Sequence, residues 1–311
     1  MPSWTRLCLA LLFPPLACGE SREAPAAAAG AGGSFETASA GAAGRTERAG
    51  SNGALPGESG AAGVGGAVEA TAGRTGGGGS SSAGAGGAGI DRPVSLLVFS
   101  RTVGYRHDSI AAGVQSMTKL AADHGWTLAA TEDASRFTDA TLAGYDAVVF
   151  LSTTGDVLND AQQAAFERFI RAGNGFIGIH SATDTEYDWA WYGGLVGAYF
   201  REHPAVQPAS VVVEDATNPA TLALPNPWRR TDEWYSFKSN PRPDVHVLLS
   251  LDESSYAPGA SNMSGDHPIA WCHEYDGGRA FYSALGHTSE SYSDPVFMAQ
   301  LAGAVTWVRA R

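Results

Sequence analysis

Three unbroken apolar runs constrain this chain most: "VSLLVFS" at residues 94–100, "DAVVFLS" at 146–152 and "GFIGI" at 175–179. None alternates polar with apolar positions, so each reads as a strand covered on both faces, as in a parallel sheet between helical layers. Helical patterns stand between them. Ile110, Val114, Met117 and Ala121 recur at helical spacing, with Ser109 expected as N-cap and Gly125 beyond the end. "NDAQQAAFERFIRAGNG" turns Phe166, Phe169 and Ile170 to one face, with Asn159 as cap and Gly173 as stop. "WTLAATE", "HVLLSL", "IAWCHEY" and "RAFYSAL" read as further strands, the last two joined as a hairpin across Asp276, Gly277 and Gly278. A closing helix carries Met298, Leu301, Val305 and Val308. The expectation is an α/β three-layer sandwich with a mostly parallel sheet.

These elements occupy only residues 92–311 of a 311-residue chain. Residues 19–91 are dominated by Gly, Ala, Ser and Glu and cannot bury enough apolar surface to offset their ordering entropy. They read as a disordered linker, whose r.m.s. span by flexible-chain scaling is roughly 40 to 50 Å. Before it, residues 1–18 carry Arg6 and a short apolar run closing in Leu16, Ala17 and Cys18, a secretory signal pattern. Its ending is similar to a bacterial lipoprotein signal, with Cys18 the lipidated residue and Pro15 a departure from the usual pattern. The expectation is an exported protein, lipid-anchored at the cell envelope of a bacterium. Cys8 would leave with the signal, so Cys272 alone would remain in the globular part, read as a small core residue in a strand.

The formal net charge is −12, and only Arg229 and Arg230 stand adjacent as basic residues. A polyanion binder needs a basic stripe, so nucleic acid is excluded as a partner.

In an open parallel sheet, ligands bind beyond the carboxyl ends of the strands. Polar residues collect there: His107 and Asp108 after the first strand, "STTGD" after "DAVVFL", "HSATDTE" after "GFIGI", and His287 after "RAFYSALG". "FREHP", with Glu202 and His203, and "TDEWYSF", with Asp232 and Glu233, could fold over the same edge.

"TVGYRHDSI", "GIHSATDTEYDWAWYGGLVGAYFREHP", "TDEWYSF" and "HPIAWCHEYDGGRAFYSALGHTSESYSDPVF" together resemble the ThuA-like (trehalose-utilisation) family. The resemblance implies a flavodoxin-like fold similar to class I glutamine amidotransferases. Those enzymes carry a nucleophilic Cys at a strand-to-helix elbow, where this chain reads Gly178, Ile179, His180. Glutamine amidotransferase activity is therefore not expected. His287 matches the position of the amidotransferase base but has no thiol to activate. Ser181 stands one residue off the elbow tip as a conceivable replacement nucleophile.

Neutral imidazole is a common metal ligand, and His180 with His287 and a further group suits Zn²⁺ or a similar divalent ion. His203 is the first candidate for that group, beside Asp184, Glu186 and Glu233. Without metal, His180, Asp184, Glu233 and His287 would act as catalytic acids and bases. Tyr105, His107, Asp108 and Trp189 are the expected substrate contacts, while at least half of Trp189, Trp191, Tyr192, Trp234 and Tyr235 are expected to be packing residues. No nucleotide cofactor is expected. The resemblance implies carbohydrate metabolism, with three readings open: a hydrolase or isomerase acting on a small or keto-sugar, a non-catalytic carbohydrate-binding module displayed at the surface, and a structural partner of another envelope enzyme.

Overall fold

The computed structural model describes residues 92–310; the expected signal, Cys18 and the linker lie outside the described residues. In chain order the elements are β1 (Ser95–Phe99), α1 (Ile110–Asp123), β2 (Thr127–Thr131), α2 (Asp139–Leu142), β3 (Ala147–Leu151), α3 (Asp160–Arg171), β4 (Gly175–Ile179), α4 (Ala190–Val196), β5 (Phe200–Glu202), β6 (Gln207–Val213), β7 (Trp228–Asp232), β8 (Ser236–Phe237), β9 (His246–Asp252), β10 (Pro268–Tyr275), β11 (Gly278–Ser283) and α5 (Pro295–Arg309). Nine strands form one sheet in the order β2-β1-β3-β4-β11-β10-β9-β6-β7, while β5 and β8 pair separately. From β2 to β11 every pairing is parallel. From β11 outward through β10, β9, β6 and β7 every pairing is antiparallel.

The parallel half follows from the apolar runs. All five residues of β3 and of β4 are buried, as two-sided coverage requires. Phe150, Phe166, Phe176 and Tyr192 interlock beneath one face, with ring centroids 5.5–6.1 Å apart. Asn159 caps α3 through a reciprocal box with Gln162, and Gly173 at φ +91° ends that region of the chain. A two-residue turn, Asp276 and Gly277, closes the β10–β11 hairpin, both residues at positive φ.

Ser109 departs from expectation. It precedes α1 in helical rather than extended conformation and makes no side-chain cap. Its hydroxyl instead donates to the Gly286 carbonyl at 3.2 Å, tying the loop after β1 to the loop after β11. Cys272 is buried at 1% exposure, and burial pushes its thiol up to about 12. No helix among the described residues is long and apolar enough to cross a membrane.

Candidate functional site

The carboxyl ends of β1, β4 and β11 deliver His107, His180 and His287 to one place. His180 directly follows β4 at φ +52°, a backbone region that costs a non-glycine residue on the order of 1–3 kcal/mol. Two contacts hold it there: the Tyr282 hydroxyl donates to its carbonyl at 2.7 Å, and its Nδ1 donates to the Ala284 carbonyl at 2.9 Å. A carbonyl can only accept, so Nδ1 carries a proton and Nε2 is the nitrogen that faces inward.

That Nε2 lies 3.1 Å from His107 Nε2, 3.2 Å from His287 Nδ1 and 3.4 Å from Glu233 Oε2. Glu233 Oε2 is 3.0 Å from His287 Nδ1. A tetrahedral site with metal–ligand bonds near 2.0–2.1 Å has ligand–ligand edges of roughly 3.3 Å. Donor type and spacing both fit, so His107, His180, Glu233 and His287 form a group that could hold a divalent ion. The second nitrogen of His107 is engaged too: its Nδ1 lies 3.3 Å from the Ser181 hydroxyl.

The electrostatics follow from crowding. Burial and then the two neighbouring imidazoles hold His107 down at about 3, so it is neutral. Burial works to raise the Glu233 carboxyl, but hydrogen bonds and charge from His180 and His287 win and hold it well below the usual carboxylate range. His287 moves up: burial opposes its charge, and the Glu233 contact outweighs that burial.

A cavity of about 350 Å³ opens onto this group, lined by Tyr105, His107, Asp184, Phe200, His203, Glu233, Tyr235 and His287. His180 is wholly buried and does not itself line the cavity; it touches His107, Glu233 and His287, which do, and the Tyr235 ring lies 4.3 Å from its own. Asp184 stands on the wall, its Oδ1 accepting from the Tyr187 hydroxyl at 2.7 Å. Burial raises its carboxyl.

The ligand set differs from the one expected. His203 belongs to the next layer: its Nδ1 is 3.0 Å from Glu233 Oε1, the oxygen turned away from the cluster. His107, expected as a substrate contact, takes the place in the group. Glu186 is committed elsewhere, accepting from the Val157 and Leu158 amides and from Gln163. Ser181 is fully buried and faces His107, so it presents no nucleophile to the cavity. Asp108 is exposed on the loop and does not line the cavity. Trp189 also lies apart, stacked on Trp191 and Tyr192 with its indole N–H on Glu167.

Phe200 and Tyr235 line the cavity without having been singled out for it. A signal existed for Tyr235: alternation in "DEWYS" turns Glu233 and Tyr235 one way and Trp234 the other, and Trp234 is fully buried.

The fold and site thus define an α/β protein of the class I glutamine amidotransferase type whose elbow carries an imidazole in place of a thiol. The chain belongs to the ThuA family, described as trehalose utilisation, which it matches over residues 95–308. It is similar to the solved structure of a ThuA-like protein from Bacteroides uniformis ATCC 8492, at 26% identity and TM-score 0.60, over 70% of this chain and 93% of that one. A ThuA-like protein from Parabacteroides merdae ATCC 43184 shares the fold at 17% identity and TM-score 0.60, over 70% of this chain and 91% of that one. A cytoplasmic protein from Salmonella typhimurium LT2 shares it at 12% identity and TM-score 0.50, over 70% and 100%. No curated protein matches the chain.

Proposed function

We propose that this protein is a carbohydrate-active enzyme, of hydrolase or isomerase type, that acts on a small or keto-sugar with a divalent cation such as Zn²⁺ at His107, His180, Glu233 and His287. The observation that carries the reading is that His180 Nε2 lies 3.1–3.4 Å from donor atoms of His107, His287 and Glu233, three residues that line the cavity, with the outer nitrogen of His180 held by a carbonyl. Bound there, the cation would polarise a carbonyl or lower the pKa of water. The chain's own groups do the rest. Asp184 faces the cavity with a carboxyl raised by burial, suited to giving and taking a proton beside the reacting atom. Phe200, Tyr235 and Tyr105 offer aromatic faces to the C–H surfaces of a sugar ring. His203 holds the outer oxygen of Glu233 and keeps the inner one turned to the cluster. The sugar class draws support from the family description. The apolar run ending at Cys18 and the polar stretch after it support a lipid-anchored protein at the bacterial envelope.

The test is elemental mass spectrometry of the purified chain beside His180→Ala and His287→Ala, with turnover of keto-sugars assayed in parallel. The expected result is near-stoichiometric metal lost in both variants, and turnover lost in His180→Ala without unfolding. Absence of metal after incubation with Zn²⁺ or Mn²⁺ would overturn the metal reading. A second reading, a non-catalytic sugar-binding module, draws on Tyr105, 65% exposed beside His107 at the cavity mouth. It predicts saturable sugar binding, no turnover, and binding that survives His180→Gln.

A further inference from the structure

Glu233 and His287 reach the cluster from different parts of the fold: one just after β7, the far edge of the antiparallel half, the other after β11 at the centre of the sheet. Nothing in either loop alone sets the 3.0 Å between their side chains. Asp232, the last residue of β7 and fully buried, lies between them. Its Oδ1 accepts the Glu233 amide at 3.0 Å and the His287 amide at 3.1 Å. Its Oδ2 accepts the Gly286 amide at 3.1 Å, Arg230 Nη2 at 2.9 Å and the Ser291 hydroxyl at 3.3 Å. One carboxylate therefore gathers three backbone amides from both loops.

The supports of Asp232 are themselves fixed. The Arg230 guanidinium lies 4.6 Å from the Trp228 ring centroid and 5.2 Å from that of Phe297 and also donates to the Ser291 hydroxyl. Gly286 sits at φ +108°, where a Cβ would meet the Tyr292 hydroxyl at 2.8 Å, so the amide that precedes His287 is aimed by a residue that must be glycine. A buried charge pair of this kind is weak evidence for stability, since its desolvation offsets its attraction. Its geometric consequence is the larger one.

We infer that Asp232 is a positioning residue that sets the separation of Glu233 and His287 and thereby the affinity of the cluster for a divalent cation. The inference rests on the metal reading above. Outer groups that orient ligands change metal affinity by about 10- to 100-fold when replaced.

The experiment measures Zn²⁺ affinity of the full chain by competition with a chromophoric chelator, and the visible absorption of the Co²⁺-substituted protein, for wild type, Asp232→Asn and Arg230→Lys. In Asp232→Asn the amide oxygen still accepts, but an NH₂ group now faces the remaining donors. Zn²⁺ should bind about 10- to 100-fold more weakly and the Co²⁺ bands should shift. Arg230→Lys keeps the charge but loses the planar fork, and should give a smaller change in the same direction. A folded Asp232→Asn protein with a lowered Tm but wild-type Zn²⁺ affinity and Co²⁺ bands would overturn the inference and leave the metal reading standing. Should Asp232→Asn fail to fold, unchanged affinity and bands in Arg230→Lys would overturn it instead. A wild-type chain that binds neither ion would overturn the metal reading first and this one with it.

Discussion

Two buried histidines, His180 and His267, are both fully shielded from solvent and both lie beside a glutamate. They do different things. His267 Nε2 meets the Tyr235 carbonyl at 2.8 Å, and its Nδ1 meets Glu253 Oε1 at 2.9 Å. Both of its nitrogens are taken up by acceptors of the protein itself. Glu253 also accepts the Met263 and Gly265 amides, so this cluster staples the loop after β9 to the backbone beside the cavity. His180 spends one nitrogen on the Ala284 carbonyl and keeps the other for two imidazoles and a carboxylate. Burial alone does not mark a ligand; what the second nitrogen faces does.

The largest expected effect separates the two directly. Zn²⁺ at 100 times its Kd should stabilise the wild-type chain by about 2.7 kcal/mol through binding to the folded state alone. His180→Ala should abolish that increment, and His267→Leu should keep it, as read from urea denaturation with and without Zn²⁺. Equal loss in both variants would break the distinction. Next, His267→Leu should itself cost about 2–3 kcal/mol in chelator-treated protein, because it leaves Glu253 and the Tyr235 carbonyl short of a donor. A cost under about 0.5 kcal/mol, the range of ordinary surface substitutions, would remove the staple from the account.

A third effect concerns acid. His107 drops from an ordinary 6.5 to about 3 on folding, so between these values the unfolded chain binds the proton and the folded one does not. Its contribution to stability is full above pH 6.5 and is lost as pH falls toward 3. Chelator-treated wild type should lose stability across this window more steeply than His107→Gln. Matching slopes would assign the loss to other groups. The smallest effect is an inert one: with its thiol pushed up to about 12, Cys272 should resist iodoacetamide in folded protein at pH 8 and react in urea, as peptide mapping would show. Rapid labelling of folded protein would place Cys272 closer to solvent than its burial implies.

Much of the parallel half was legible in the sequence because its signals are local. Unbroken apolar runs mark two-sided strands, Asn159 and Gly173 mark the ends of a helical stretch, and the strand-end rule brings His107, His180 and His287 to one edge before any contact is known. The antiparallel half was harder to read. "QPASVVV" and "WRRTD" carry little periodicity, and they became β6 and β7 through pairing with β9 and with each other. Their register decided that Asp232 ends beneath the His287 loop, that Glu233 outranks His203 and Glu186 as the fourth member, and that Tyr235 rather than Trp189 faces the cavity. Ser109 shows the same limit on a smaller scale, its hydroxyl drawn from a local cap to a carbonyl 177 residues away. The sequence by itself determined which residues stand at strand ends, because periodicity and capping act over a few residues. Which of them touch was decided only by tertiary structure, because the distances between those ends depend on pairings across more than a hundred residues.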